Sequence, residues 1–113
     1  MTTDDLCYLS GVEAARRIAA GSLSPVTLME AILGRVDAMQ PVLNAFTIIR
    51  AEEAIAEAKM AEAAVTGREA LGPLHGVPFT VKDMINVAGM RITFGSPMFE
   101  HNVPETDTVV IER

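Results

Sequence analysis

Helical periodicity runs through this chain to about residue 66 and then stops, and that break limits the fold more than any other feature. Ser10-Gly11-Val12-Glu13 has the spacing of a capping box, in which a serine hydroxyl and a glutamate three residues on satisfy each other's amides. The spacing predicts a helix over about 11–20, ended by Gly21. Ser24-Pro25 reads as an N-cap followed by proline at the first helical position. Met29, Ile32, Leu33 and Val36 recur at helical spacing, so residues 25–39 are expected to form an amphipathic helix that Pro41 stops. Residues 44–50, with β-branched and aromatic types, are expected to be extended. A third helix is expected over about 51–65, with Ala54, Ala58, Ala61 and Val65 as its narrow buried stripe and Gly67 at its end.

After Gly72-Pro73 the pattern changes. Val77 to Lys82 reads as a strand, with Val77, Phe79 and Val81 on one face and Thr80 and Lys82 on the other. Arg91-Ile92-Thr93-Phe94 reads as a second, short strand within a stretch from 83 to 106 that has little periodicity. A stretch of that kind in a compact domain is usually functional or rests against another part of the fold. Asp107 is placed to cap a helix beginning at Thr108, and six residues cannot sustain a helix alone. The expectation is that the chain ends inside a helix of a larger fold, and that its unpartnered apolar surfaces lead to self-association.

The balance of 9 Lys and Arg against 15 Asp and Glu gives a net charge of −6. Nucleic-acid binding needs clustered positive charge, and Arg16-Arg17 is the only adjacent basic pair, so no nucleic-acid partner is expected. No apolar run has the length of a membrane span, and the acidic start lacks the pattern of a secretory signal. A cytoplasmic protein with no membrane partner is expected. Cys7 is the single cysteine, which fits a reducing compartment and reads as a small apolar residue. His75 and His101 have no acidic or thiol partner at ligand spacing, so neither a metal nor a cofactor is expected.

One segment is chemically specific: Gly72-Pro73-Leu74-His75-Gly76-Val77-Pro78-Phe79-Thr80-Val81-Lys82-Asp83. It resembles the lysine motif of the amidase signature family. The resemblance continues through Gly89, Thr93, Gly95, Ser96 and Asp107, and upstream it takes in the helices from Ser24-Pro25 to Ala45-Phe46. It covers the chain from about residue 10 to the end. Ile92 departs from it, since many relatives place a threonine there.

The resemblance implies an α/β fold with a mixed sheet covered by helices. Residues 1–113 would be the N-terminal part of a single amidase domain, helical over about 10–66 and holding the lysine-motif strand and loops over about 67–113. It implies a Ser–cis-Ser–Lys triad that cleaves a small-molecule amide to acid and ammonia or amine. Lys82 would be the base, drawing a proton through a bridging serine from the nucleophilic one. A lysine does this only as a neutral amine, which burial favours by penalising the ammonium form. Read without the motif, a lysine at a strand end is a solvated charge, and Asp83 beside it would offer only a weak ion pair. The two serines belong to a Gly-Ser-rich loop that has no counterpart among Ser10, Ser22, Ser24 and Ser96. Ser10 and Ser24 read as caps and Ser96 as a turn residue. The isolated chain is therefore expected to be inactive. Two other readings remain: the ammonia-releasing component of an amidotransferase (its A-type subunit), whose related chemistry supplies a partner, and a truncated product without catalysis.

Overall fold

The computed structural model describes residues Met1–Arg113. Its elements are helical throughout: α1 (Thr3–Cys7), α2 (Gly11–Ala19), α3 (Pro25–Leu43), α4 (Ala51–Thr66), a 3₁₀ turn at Pro97–Phe99, and α5 (Val109–Glu112). They fall in two compact units, Met1–Pro78 and Phe79–Arg113. No helix is long and apolar enough to cross a membrane.

The first unit is built by local signals that the caps carry out. The Ser24 hydroxyl accepts from the amides of Val26 and Thr27, with Pro25 opening α3. The Ser10 hydroxyl accepts from the Glu13 amide, but the reciprocal half of the expected capping box is missing. The Glu13 carboxylate turns instead to Arg16 and Arg17, which pull its pKa down to about 2, Arg16 contributing most. A complete capping box does form one helix earlier, between Thr2 and Asp5, at the head of α1. Gly21, with φ 73°, ends α2 in a Schellman motif: its amide reaches the Ile18 carbonyl and the Ser22 amide reaches that of Arg17.

Where the structure departs from the sequence reading, tertiary packing is the reason. Pro41 lies inside α3 and does not stop it. The helix runs only two residues past it, to Leu43, and closes with Asn44 in the left-handed region, its amide 2.7 Å from the Gln40 carbonyl. The Gln40 side chain fixes the exit, donating to the Phe46 carbonyl and accepting from its amide. That brace leaves residues 44–50 irregular where an extended run was expected. At the end of α4 the left-handed residue is Arg68 (φ 53°), not Gly67, which stays in the right-handed region.

The core of this unit is Ala14, Ile18 and Leu28, with Leu6, Leu23, Ile32, Val65 and Val77 packed around it. Helix α3 is the central element, packing against α1 and α4. Its fully buried positions are Pro25, Leu28 and Ala31, while Met29, Ile32, Leu33 and Val36 of the expected stripe are half-buried. Small residues let helices approach closely, so Ala31 on α3 and Ala58 on α4 are buried ahead of larger neighbours. Cys7 is half-buried, its thiol 3.5 Å from the Ala31 carbonyl oxygen.

Of the expected α/β fold these residues supply helices alone, and the strands expected at Val77–Lys82 and Arg91–Phe94 do not form here. A strand exists only through a ladder, and neither Val77–Lys82 nor Arg91–Phe94 has a ladder partner here. The amides of Phe79, Thr80, Val81 and Lys82 donate no backbone hydrogen bond. Val77 packs on the helical core of the first unit and Phe79 is 73% exposed, which breaks the expected alternation of faces.

The second unit is a loop held by cross-chain bonds. Two stretches, 86–92 and 102–108, are tied by Thr108 N to Asn86 O, Gly89 N to Pro104 O and Ile92 N to Asn102 O. Asp107 does not cap α5; its carboxylate accepts from the Ala88 amide, and Thr108 takes the N-cap position with its hydroxyl accepting from the Asn86 amide. Ile92 is the unit's buried side chain, and its carbonyl accepts from the Asn102 side-chain amide. Ile92→Ala is expected to cost about 2–3 kcal/mol of local stability by leaving a cavity. Loss of hydrogen-exchange protection at Gly89, Ile92 and Thr108 measures it, and unchanged protection would show that Ile92 carries no packing role.

Candidate active site

The lysine motif begins on the helices. His75 Nε2 donates to the Ala61 carbonyl on α4 at 2.8 Å, which sets its tautomer and holds the motif's first half against that helix. Gly76 follows with φ 76° and lies directly over the core: a Cβ there would be 3.1 Å from Pro25 Cγ and 3.2 Å from Ile18 Cγ2. Only glycine fits such a position, by conformation and by space.

In the second unit the chain turns sharply at Lys82, whose carbonyl accepts from the amides of both Met84 (2.7 Å) and Ile85 (3.0 Å). The Lys82 side chain is exposed and its ammonium takes part in no ion pair. The burial that a neutral lysine requires is not provided within this unit. Asp83 is committed elsewhere. Its Oδ1 accepts from the Thr93 amide at 2.9 Å and its Oδ2 from the Thr93 hydroxyl at 2.6 Å. These bonds, with a smaller effect from the Gly95 amide and Arg91, hold its carboxyl below the ordinary 3.8. The weak Lys82–Asp83 ion pair that the motif-free reading allowed does not form, and Asp83 is clamped to Thr93 in its place. Thr93 Oγ1 also receives the Gly95 amide at 3.4 Å, while Phe94 (φ 52°) and Gly95 (φ 69°) are both left-handed. Phe94 keeps that costly conformation with its ring edge-on to Phe99, 5.2 Å between centroids.

Each of the four serines has a main-chain partner. Ser10 and Ser24 cap helices, and Ser22 donates to the Arg17 carbonyl. Ser96 accepts from the Met98 amide and caps the 3₁₀ turn. His101 is exposed, and no cluster of His, Cys, Asp and Glu is arranged for a metal ion. A shallow cleft of about 210 Å³ between the α2–α3 turn and the end of α4 is lined by Ser24, Glu62 and Thr66 among apolar neighbours. It holds no paired base and nucleophile.

Sequence reasoning placed Lys82 and Asp83 in one motif and Thr93 in the continuing resemblance, but missed that Thr93 is the partner of Asp83. It also missed the anchor from His75 to Ala61. Neither has a local sequence signal, since ten and fourteen residues separate the partners.

The depressed carboxyls fix the acid behaviour. A lowered folded pKa contributes stability above the unfolded value and loses it as pH falls through the folded one. The Glu13 contribution is thus complete above 4.5 and disappears around pH 2, and the Asp83 contribution disappears below 3.8. Carboxyl carbon titration by NMR is expected to show both Glu13 and Asp83 keeping their charge to lower pH than an ordinary carboxylate does.

Lys82 thus sits on a turn with a free, exposed side chain, next to a carboxylate that is clamped to Thr93. The amidase family model matches residues 27–113. An acylamidase of Rhodococcus erythropolis is 39% identical over the whole of this chain, which corresponds to 24% of that enzyme's length. The A-type subunit of the glutamyl-tRNA(Gln) amidotransferase of Streptomyces coelicolor is 36% identical over 96% of the chain and 22% of its own length. Among solved structures, a chain from an inhibitor-bound complex superposes with a TM-score of 0.85 at 30% identity, over 92% of this chain and 23% of that one. That complex is described as vestigial and as revealing the evolutionary origins of an s-triazine catabolic enzyme. The chain belongs to the amidase family. It spans about a quarter of the length of the relatives it matches.

Proposed function

We propose that Lys82 is the proton-accepting base of an amidase, the terminal member of a Ser–cis-Ser–Lys triad that cleaves a carboxylic amide through an acyl-enzyme. The observation that carries this is the motif Gly72–Asp83, ending on Lys82 within the residues that match the family. The four serine hydroxyls here each serve the main chain, so the bridging and nucleophilic serines come from polypeptide outside these residues. The same polypeptide supplies the burial that Lys82 needs and the strand partners for Phe79–Lys82, completing a mixed sheet. The exposed Phe79, Met84, Val109 and Val110 favour such packing.

The test follows ammonia or arylamine release from simple aliphatic and aryl amides. The 113-residue chain is expected to give no turnover. Turnover that survives repurification and vanishes in Ser96→Ala would overturn the assignment and make Ser96 the nucleophile. The A-type component of an amidotransferase is the second reading, favoured by the similarity to the Streptomyces coelicolor protein. It predicts amide cleavage that depends on partner chains, whereas an amidase acts without them.

A further inference from the structure

The clamp on Asp83 has a consequence for the neighbouring amine, and it rests on the reading of Lys82 as a base. A carboxylate one residue away is the natural ion-pair partner of an exposed lysine, and such a pair stabilises the ammonium form. Here both Asp83 oxygens are taken up by Thr93, at 2.9 and 2.6 Å, and Lys82 has no anionic partner. The cation acting on Asp83 is Arg91, whose Nη1 is itself held at the Glu100 carbonyl. We propose that Thr93 is a positioning residue that holds the Asp83 carboxylate off Lys82, so that the amine stays free to lose its proton.

The supporting geometry is over-determined. Thr93 offers two donors to one carboxylate, and its hydroxyl is oriented in turn by the Gly95 amide. The left-handed pair Phe94-Gly95 brings that amide back onto the hydroxyl, and Phe94 keeps this conformation in a residue type that rarely adopts it. The Ser96 amide closes the same turn on the Thr93 carbonyl at 2.9 Å. Four consecutive residues thus converge on fixing the threonine that engages Asp83. A residue needed only for packing would not require its hydroxyl to donate and accept at once.

The chain contains its own reference for a test. It has only two lysines, Lys82 and Lys59, and Lys59 is exposed on α4. Trace acetylation of the 113-residue chain with acetic anhydride near pH 8, read by peptide mass spectrometry, gives the Lys82-to-Lys59 ratio. Thr93→Val removes the hydroxyl and releases one Asp83 oxygen to Lys82. The ratio is expected to fall about two- to fourfold, the size of effect an exposed ion pair can produce. Thr93→Ser keeps both donors and is expected to keep the wild-type ratio. The double variant Thr93→Val with Asp83→Asn removes the competing charge and is expected to restore it. A fall that persists in the double variant would mean local unfolding and would overturn the proposal, as would an unchanged ratio in Thr93→Val. No turnover enters this measurement, so its failure is separate from a failure of the amidase assignment.

Discussion

Lys82→Arg, in an active amide-cleaving polypeptide that carries this segment, is expected to lose about a thousandfold in kcat/KM, as severe a loss as Lys82→Ala. The two substitutions separate charge from proton transfer. Arginine keeps the length and the positive charge, but its guanidinium stays protonated and cannot accept a proton. If Lys82 were a solvated surface charge, both variants would retain activity and change stability by no more than about 0.5 kcal/mol. The structure sharpens the comparison, because the Lys82 side chain has no ion pair that arginine could preserve or alanine could break. Its backbone carbonyl, bonded to the Met84 and Ile85 amides, is unaffected by either change. The measurement is the pH profile of kcat/KM for wild type and both variants, with thermal melts as the folding control. An active Lys82→Arg protein with an unchanged acid limb would remove the base assignment.

Gly76→Ala is expected to destabilise the first unit by about 2–4 kcal/mol, from two separable sources. Gly76 has φ 76°, where an L side chain is strained, and its missing Cβ would press on Pro25 Cγ at 3.1 Å and Ile18 Cγ2 at 3.2 Å. Ile18 is fully buried and Pro25 begins α3, so neither can yield without moving the helices. Gly21 offers a control in the same unit: its φ is 73°, but no atom lies within 4 Å of the added Cβ. Gly21→Ala should therefore lose only the conformational part, about 1–2 kcal/mol. Urea unfolding of the two variants would measure the difference. Equal losses would show that Gly76 is selected by its backbone conformation alone, without close approach to the core.

What the sequence determined by itself was local. The helix starts at Ser10 and Ser24 were legible because a cap joins a side chain to amides two or three residues away. Gly21 was legible as a helix end because a left-handed residue there needs no distant partner. Family membership was legible for a related reason, since the run from Gly72 to Asp83 is contiguous. What tertiary structure decided was everything that depends on a partner far along the chain. Val77–Lys82 has strand-like composition, but the residues in hand offer it no ladder. Read without the motif, Asp83 offered Lys82 a weak ion pair, but Thr93, ten residues on, engages both of its oxygens. Pro41 was expected to stop α3, yet the helix carries through it and ends at Asn44, with Gln40 bracing Phe46 beyond. A carboxylate or a backbone amide binds whichever donor or acceptor the fold brings closest. Proximity in sequence decides that choice only where the chain has no room to bring anything else nearer.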